Sequence, residues 1–568
     1  MTEPRETATL DPDGTTAEWW RTAVVYEVYP RSFRDANGDG VGDLEGVRRS
    51  LPYLEQLGVD AIWFTPWYRS PLADGGYDVE DYREIDPVFG TLEDAERLIR
   101  EARERGIRTI VDLVPNHVSD RHPWFREALA APPGSDARAR FWFHPGRGDD
   151  GAGIPTRWRN NFGGDTWTRT TDADGRAGEW YLHLFDASQP DLNWQHPEVV
   201  REHEELLRFW FDRGVAGVRI DSAAHIMKDP ELPEDDGTHA PGRHPNLDRD
   251  EVHPVYRRWR RIADEYDEPR LLVGEVWIPD PERFARYLAP DELHTAFNFD
   301  LMTRAWDAAE YRSSIASMLE AHAATGAPCT WVLSNHDVTR PVTRFGRVDS
   351  AFSFDAKRWG VPSDPVLGRR RAAAAALLTA ALPGSLYLYQ GDELGLPEVE
   401  DLDPEELRDP MYFRTGGRSP GRDGCRVPLP WRGQDAPFGF SPPGVRPWLT
   451  QPPEWAELTI AAQEDDETSM LNLYRWALRL RREYADFRFA ELEWLDLDEG
   501  LLAFRRGGIV SVTNFADADA PLPLDLHVFL ASGPSPRGVV AANTTVWAAT
   551  AAPGARSPVA SSVGGAIE

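Results

Sequence analysis

Eight short runs of apolar, β-branched or aromatic residues recur along this chain, with helical patterns between several of them. The runs fall near 24–29, 61–65, 109–114, 216–220, 271–276, 296–299, 330–333 and 385–389, and clear helical patterns cover 44–57, 92–105 and 198–212. Strand and helix alternating over such a span specify a parallel sheet, and about eight strands are enough to close it. The expected fold is therefore α/β, a (β/α)8 TIM barrel. A barrel takes about 250 residues or more as a single unit, so a 568-residue chain has room for additions to it.

Two intervals are too long for βα loops, which run about 2–6 residues. The stretch from Asn116 to Ala216 is rich in Trp, Gly, Asp and Pro, and that from Gly391 to Thr468 is rich in Pro and Trp. From about Glu491 the pattern changes to short alternating stretches, as in a small antiparallel sheet. The expected division is a tail at 1–19 and a barrel at 20–116 and 190–485, with a lid at about 391–468. An inserted domain at 117–189 follows strand 3, a C-terminal antiparallel β domain covers 486–548, and a flexible tail ends the chain at 549–568.

The balance of 94 acidic to 62 basic residues gives a formal charge of −32. Such a surface repels nucleic acid and anionic membrane, so a small neutral partner is expected, with no nucleic acid and no membrane. Only two cysteines occur, and no apolar segment follows a basic start. A cytoplasmic protein, monomeric or homo-oligomeric, is the expectation. The segment 372–389 is apolar enough to mimic a membrane span, but Pro383-Gly384 divides it into a helix and a strand.

Four of the runs end in groups that carry chemistry. They are "IVDLVPNH" (Asp112, Asn116, His117), "GVRIDS" (Arg219, Asp221), "LLVGEVW" (Glu275) and "WVLSNHD" (His336, Asp337). Barrel enzymes present their reacting groups at the C-terminal ends of the strands. Arg219 and Asp221 are two apart and face one side, so the guanidinium should keep that carboxylate ionised. Glu275 precedes Trp277, and an apolar wall there should hold its proton for a leaving oxygen. Two carboxyl groups in these states suit hydrolysis of a glycosidic bond with retention, for which they stand about 5 Å apart. Asp337, His117 and His336 are natural hydrogen-bond partners for sugar hydroxyls.

Two further patterns stand out. In "DANGDGVGD", Asp35, Asn37, Asp39 and Asp43 alternate with glycines, and the carbonyl of Val41 fills the gap. Oxygen donors at that spacing suit a structural Ca2+ or Mg2+ in a loop that is not an EF-hand; a metal-free loop of Asx turns is the alternative. In "SPLADGGYDVEDY", Asp74 and Tyr77 offer a hydroxyl acceptor and a ring to stack on a sugar face. No organic cofactor is expected.

Together these segments resemble the α-amylase family, glycoside hydrolase family thirteen, in its branch of oligo-1,6-glucosidases and bacterial α-glucosidases. "DLVPNH", "GVRID", "GEVW" and "SNHD" stand for its four signature regions, "QPDLNW" is a further motif of the branch, and "FGGDTW" (with Phe162), "AFNFD" and "GRDGCRVPLPW" also match. The resemblance implies that Asp221 is the nucleophile, Glu275 the acid/base and Asp337 the transition-state stabiliser. It implies that His117, Arg219 and His336 line the subsite of the cleaved glucose, and that Asp35, Asn37, Asp39, Val41 and Asp43 form the metal site. Asp74 and Arg422 match an Asp–Arg pair that closes the non-reducing end, which implies exo cleavage of one terminal glucose. Phe297 matches an aromatic residue against the leaving sugar. Ser222 follows the nucleophile where oligo-1,6-glucosidases have Val and maltases Thr or Ala, so a small oligosaccharide or disaccharide with an α-1,4 linkage, or sucrose, is the expected substrate. A glucosyltransferase or isomerase using the same covalent intermediate is the alternative, although "NHDVTRPVTRFG" is not followed by the Arg/Asp-rich loop of sucrose isomerases. Non-catalytic, transporter-associated relatives lack the carboxylates that this chain keeps.

Overall fold

The computed structural model describes residues 18–172, 175–353, 360–522 and 526–550. Apart from residues 18–19 and 549–550, the two expected tails lie outside the described residues. Every expected strand is present: β1 (Val24–Val28), β2 (Ala61–Phe64), β3 (Arg108–Leu113), β4 (Gly217–Ile220), β5 (Leu271–Gly274), β6 (Thr295–Ala296), β7 (Thr330–Val332) and β8 (Ser385–Tyr389). They pair in parallel in the order β6-β5-β4-β3-β2-β1-β8-β7. A parallel bridge between Asn298 and Trp331 joins β6 to β7 and closes the ring. Nearly all barrel-strand residues are buried, which is why these strands read as continuous apolar runs rather than as alternation.

Helices Leu92–Glu104 and Pro197–Asp212 form where the 3.6-residue pattern places them, the first closed by a Thr91/Asp94 capping box. The pattern at 44–57 is instead two helices, Leu44–Arg49 and Leu51–Leu57, broken at Ser50. Pro52 lacks an N–H and fits only in the first turn of a helix, so the chain restarts there.

After β3 a three-stranded antiparallel sheet forms from Phe143–His144, Ala177–Leu182 and Trp167–Thr171. It is tied back to the barrel by bridges His117–Asp191 and Phe141–Leu192. After β8 the chain carries short helices and 3-10 turns through Glu464. A five-stranded antiparallel sheet follows, with strands Glu493–Leu495, Leu501–Arg506, Ile509–Asn514, Thr544–Thr550 and Leu526–Ala531 in that spatial order. Helix Pro365–Ala381 lies between barrel and sheet, where Thr545 Oγ1 and Trp547 Nε1 donate to its Ala374 and Leu377 carbonyls at 2.7 and 3.1 Å. This is the apolar stretch that mimics a membrane span, and Gly384, at φ +118°, turns the chain from it into β8. Among the described residues no helix is long and apolar enough to cross a membrane.

Candidate active site

The barrel register sets the site. Arg219 pairs with Asp112 across β3 and β4 and with Val273 across β4 and β5. Beyond the strand ends the ladder continues, with Asp221 N–H donating to Leu113 O and Glu275 N–H to Ile220 O, both at 2.9 Å. Adjacent strands thus release Asp221 and Glu275 at one level, beside the same guanidinium.

Arg219, 1 % exposed, is the hub. Its Nη1 donates to Asp112 Oδ1 and Asp221 Oδ1, each at 2.8 Å, and its Nη2 to Glu275 Oε2 at 2.6 Å. The Trp63 and Tyr77 rings lie 5.1 and 5.7 Å from its guanidinium carbon, and Trp63 Nε1 and Tyr77 Oη also donate to Asp112. Carboxyl oxygens held by the two ends of one guanidinium can be separated by little more than a sugar ring. Ser222 stands at φ +45°, and this left-handed turn points its N–H at Glu275 Oε2, 3.0 Å away.

Two electrostatic expectations are corrected here. Arg219 alone does not hold Asp221 in the ordinary carboxylate range: burial pushes that carboxyl well up, Arg219 pulls it down, and Glu275 and Asp112 push it up again. Glu275 meets donors rather than an apolar wall, since Trp277 Nε1 donates to its Oε1 at 2.9 Å, opposite the Arg219 and Ser222 donors on Oε2. Asp221 and Glu275 therefore share one cation, Arg219. Burial also raises Asp112, to about 7, against the pull of Arg219.

Asp337 differs. Burial alone would raise it, but His336, Arg422 and Arg426 outweigh burial and hold it well below the usual carboxylate range. Its Oδ1 accepts from Arg422 Nη1 at 3.1 Å and Arg426 Nη2 at 2.8 Å. Arg422 reaches Asp74 through Nη2 and Asp409 through Nε, the latter at 2.5 Å, and its guanidinium carbon lies 4.8 Å from the centre of the Phe162 ring. The Asp74–Arg422 pair thus forms across 348 positions of sequence.

His117 joins the same wall. Gln189 Nε2 lies 3.1 Å from His117 Nε2 and donates to Asp74 Oδ2 at 3.0 Å. Burial lowers His117 to about 4, so the ring is neutral near pH 7. Asn116 and Asp191 both meet Lys228, a pair buried at 0 % side-chain exposure with Asp191 Oδ2 at 2.7 Å from Nζ. Tyr77 stacks on His336 with ring centres 5.2 Å apart. Phe297 lies one ring behind this cluster. It is 2 % exposed and packs on Trp63 and Tyr387 inside the barrel.

The reading of the sequence missed Gln189, Asp409 and Arg426 as members of the wall. "QPDLNW" marked the first, and "GRDGCR" holds Arg426 four residues after Arg422. Asp409 carries no local signal.

The loop with Asp35, Asn37, Asp39, Val41 and Asp43 lies apart from these residues. Asp35 accepts from Gly38 and Gly40 N–H, Asn37 Oδ1 from Asp39 N–H, Asp39 from Val41 N–H, and Asp43 from Ala36, Asn37 and Gly46 N–H. Among the described residues no three His, Cys, Asp or Glu side chains converge as a metal cluster. The donors in this loop are all hard oxygens, and an oxygen that accepts one N–H keeps a second lone pair, so their chemistry suits Ca2+ or Mg2+. Gly40 is required by packing: at φ +90°, a Cβ there would meet Arg446 O at 2.3 Å.

A parallel eight-stranded barrel with carboxylates converging at its strand ends is the architecture of a glycoside hydrolase. Residues 27–488 match the family described as "Alpha amylase, catalytic domain". The chain is 36% identical over 520 residues to a probable alpha-glucosidase of Rhizobium meliloti, covering 88% of each chain. It is 32% identical over 556 residues to an oligo-1,6-glucosidase of Parageobacillus thermoglucosidasius, covering 90% of this chain and 92% of that one. Its fold is similar to the crystal structure of an alpha-glucosyl transfer enzyme, with TM-score 0.81 and 33% identity over 94% of this chain and 99% of that chain. The protein belongs to the α-amylase family, glycoside hydrolase family thirteen, in the branch of the oligo-1,6-glucosidases.

Proposed function

We propose that the protein is an exo-acting, retaining α-glucosidase that removes terminal glucose from maltose, short malto-oligosaccharides or sucrose. The observation that carries this reading is one buried guanidinium, Arg219, holding Asp221 and Glu275 from adjacent strand ends. The reaction needs a proton on Glu275, which gives it to the leaving oxygen while the Asp221 carboxylate attacks the anomeric carbon. Water then attacks the same carbon, its proton passing to Glu275 as the glucosyl bond to Asp221 breaks. Asp337, kept charged, holds sugar hydroxyls, with His117, His336, Tyr77 and Phe162 around the same ring. The ion pair of Asp74 with Arg422 closes the far end, leaving room for one terminal sugar. In the first turnovers on a nitrophenyl α-glucoside, NMR should show the released glucose as the α-anomer; a β-anomer would reject the mechanism.

A glucosyltransferase using the same intermediate is the second reading, supported by the likeness to the α-glucosyl transfer enzyme. Larger oligosaccharides accumulating from maltose, with one glucose released per transfer in place of two per hydrolysis, would favour it.

Linkage preference is assigned to Ser222. A small hydroxyl side chain leaves space for an α-1,4-linked leaving group. Ser222→Val should shift the maltose-to-isomaltose rate ratio towards isomaltose by about tenfold, the low end of what one methylene in a pocket gives. Its φ of +45° disfavours a β-branched residue, so a drop in Tm should accompany the shift. An unchanged ratio rejects the assignment.

Asp35, Asn37, Asp39, Asp43 and the Val41 carbonyl are proposed to hold a structural Ca2+ or Mg2+, which supplies cross-linking of the loop and no chemistry. Chelation should lower Tm by about 2 °C or more, and added Ca2+ should restore it, as for any ligand of the folded state. Asp39→Ala should abolish that response. The same Tm with and without chelator would remove the metal from the account.

A further inference from the structure

Glu27 is the fourth of the five residues of β1, between Tyr26 and Val28, and is 1 % exposed. A carboxyl group at that depth costs several kcal/mol unless it is fully partnered. Its partner is His336: Glu27 Oε1 lies 2.5 Å from Nδ1 and accepts the His336 backbone N–H at 3.4 Å. The other ring nitrogen, Nε2, is buried, has no hydrogen-bond partner, and lies 3.4 Å from Asp337 Oδ1.

We propose that Glu27 is the positioning residue for His336: by engaging Nδ1 it fixes the ring plane and keeps a proton on Nε2, the nitrogen beside Asp337. This rests on the reading of His336 as a donor to a sugar hydroxyl. The proton inventory supports it. One proton lies in the contact between Oε1 and Nδ1, and whichever atom holds it, a neutral ring or an imidazolium, the second proton sits on Nε2. The alternative places the only ring proton on Nδ1. It would set a lone pair 3.4 Å from the charged Asp337, with an ionised Glu27 buried behind, and like charges at such depth repel strongly. Burial also pushes Glu27 well above the usual carboxylate range, which keeps its proton in the contact. The aromatic shell holds the ring but cannot choose the nitrogen: Tyr77 and Tyr29 lie nearly parallel to it and Trp63 meets it edge-on.

The test is a double-mutant cycle read as kcat/KM on maltose. His336→Ala should cost about tenfold or more, and Glu27→Leu about tenfold in the parent but less than about twofold in the His336→Ala background. Glu27→Gln should stay within about threefold of the parent, because its amide can donate to Nδ1 and leave the Nε2 proton in place. Equal losses from Glu27→Leu in both backgrounds would overturn the proposal and leave Glu27 a strut of β1. Parental activity in His336→Ala would instead sink the donor reading beneath it. Nitrogen-15 NMR of the parent gives a check that needs no folded Leu variant: His336 Nε2 should be protonated at pH 7, and an unprotonated Nε2 rejects the inference.

Discussion

Asp221→Asn is expected to lower kcat on a nitrophenyl α-glucoside by at least about 10⁴-fold, the scale seen when one member of a reacting set is removed. The amide keeps the size of the side chain and can still meet Arg219, so binding should survive while covalent capture of the glucosyl group fails. Steady-state rates beside circular dichroism of the two proteins decide it. A variant as active as the parent would remove Asp221 from the mechanism. Equal inactivity of parent and variant would return the protein to the class of non-catalytic barrels.

Replacing Arg219 should be the most damaging single change to the structure itself. Three carboxyl groups, Asp112, Asp221 and Glu275, depend on its guanidinium. Arg219→Ala leaves them buried together without a counter-charge, a loss of about 3–5 kcal/mol on the scale of broken buried pairs. Arg219→Lys restores the charge but not the fork, since an ammonium is a point charge with no planar pair of donors. We expect the Lys variant to recover part of the stability in urea unfolding and to remain at least about 10³-fold down in kcat/KM. Near-parental activity with Lys would show that charge alone suffices and that holding both carboxyls by one rigid group is unnecessary.

The barrel was legible because its strands are buried on both faces, so each stands out as an uninterrupted apolar run. β6, with only Thr295–Ala296 in ladder, is the weakest example and was found from the aromatic residues beside it. Asp221, Glu275 and Asp337 were legible because each directly ends or follows such a run. The Asp74–Arg422 pair came from resemblance, since no local pattern links positions 348 apart. Asp409 was invisible for the same reason, its partners being fixed by the folded loops, while Gln189 was marked by its motif but not its contacts with His117 and Asp74. Glu27 was masked differently, as one polar residue in an otherwise apolar strand. The proton balance of Asp221 was misjudged because two-residue spacing reveals Arg219 as a neighbour but not Asp112 and Glu275 as competitors for it.

The contact of Thr545 and Trp547 with helix Pro365–Ala381 has a bearing on biosynthesis. That helix, packed with alanines, has its outer face covered by a strand encoded about 170 positions later. While the ribosome is still producing those last residues, the helix presents a greasy stripe to whatever else is nearby. Chaperone demand should therefore peak late in translation, and nascent chains stalled before Thr544 should clump although every strand of the barrel has already emerged.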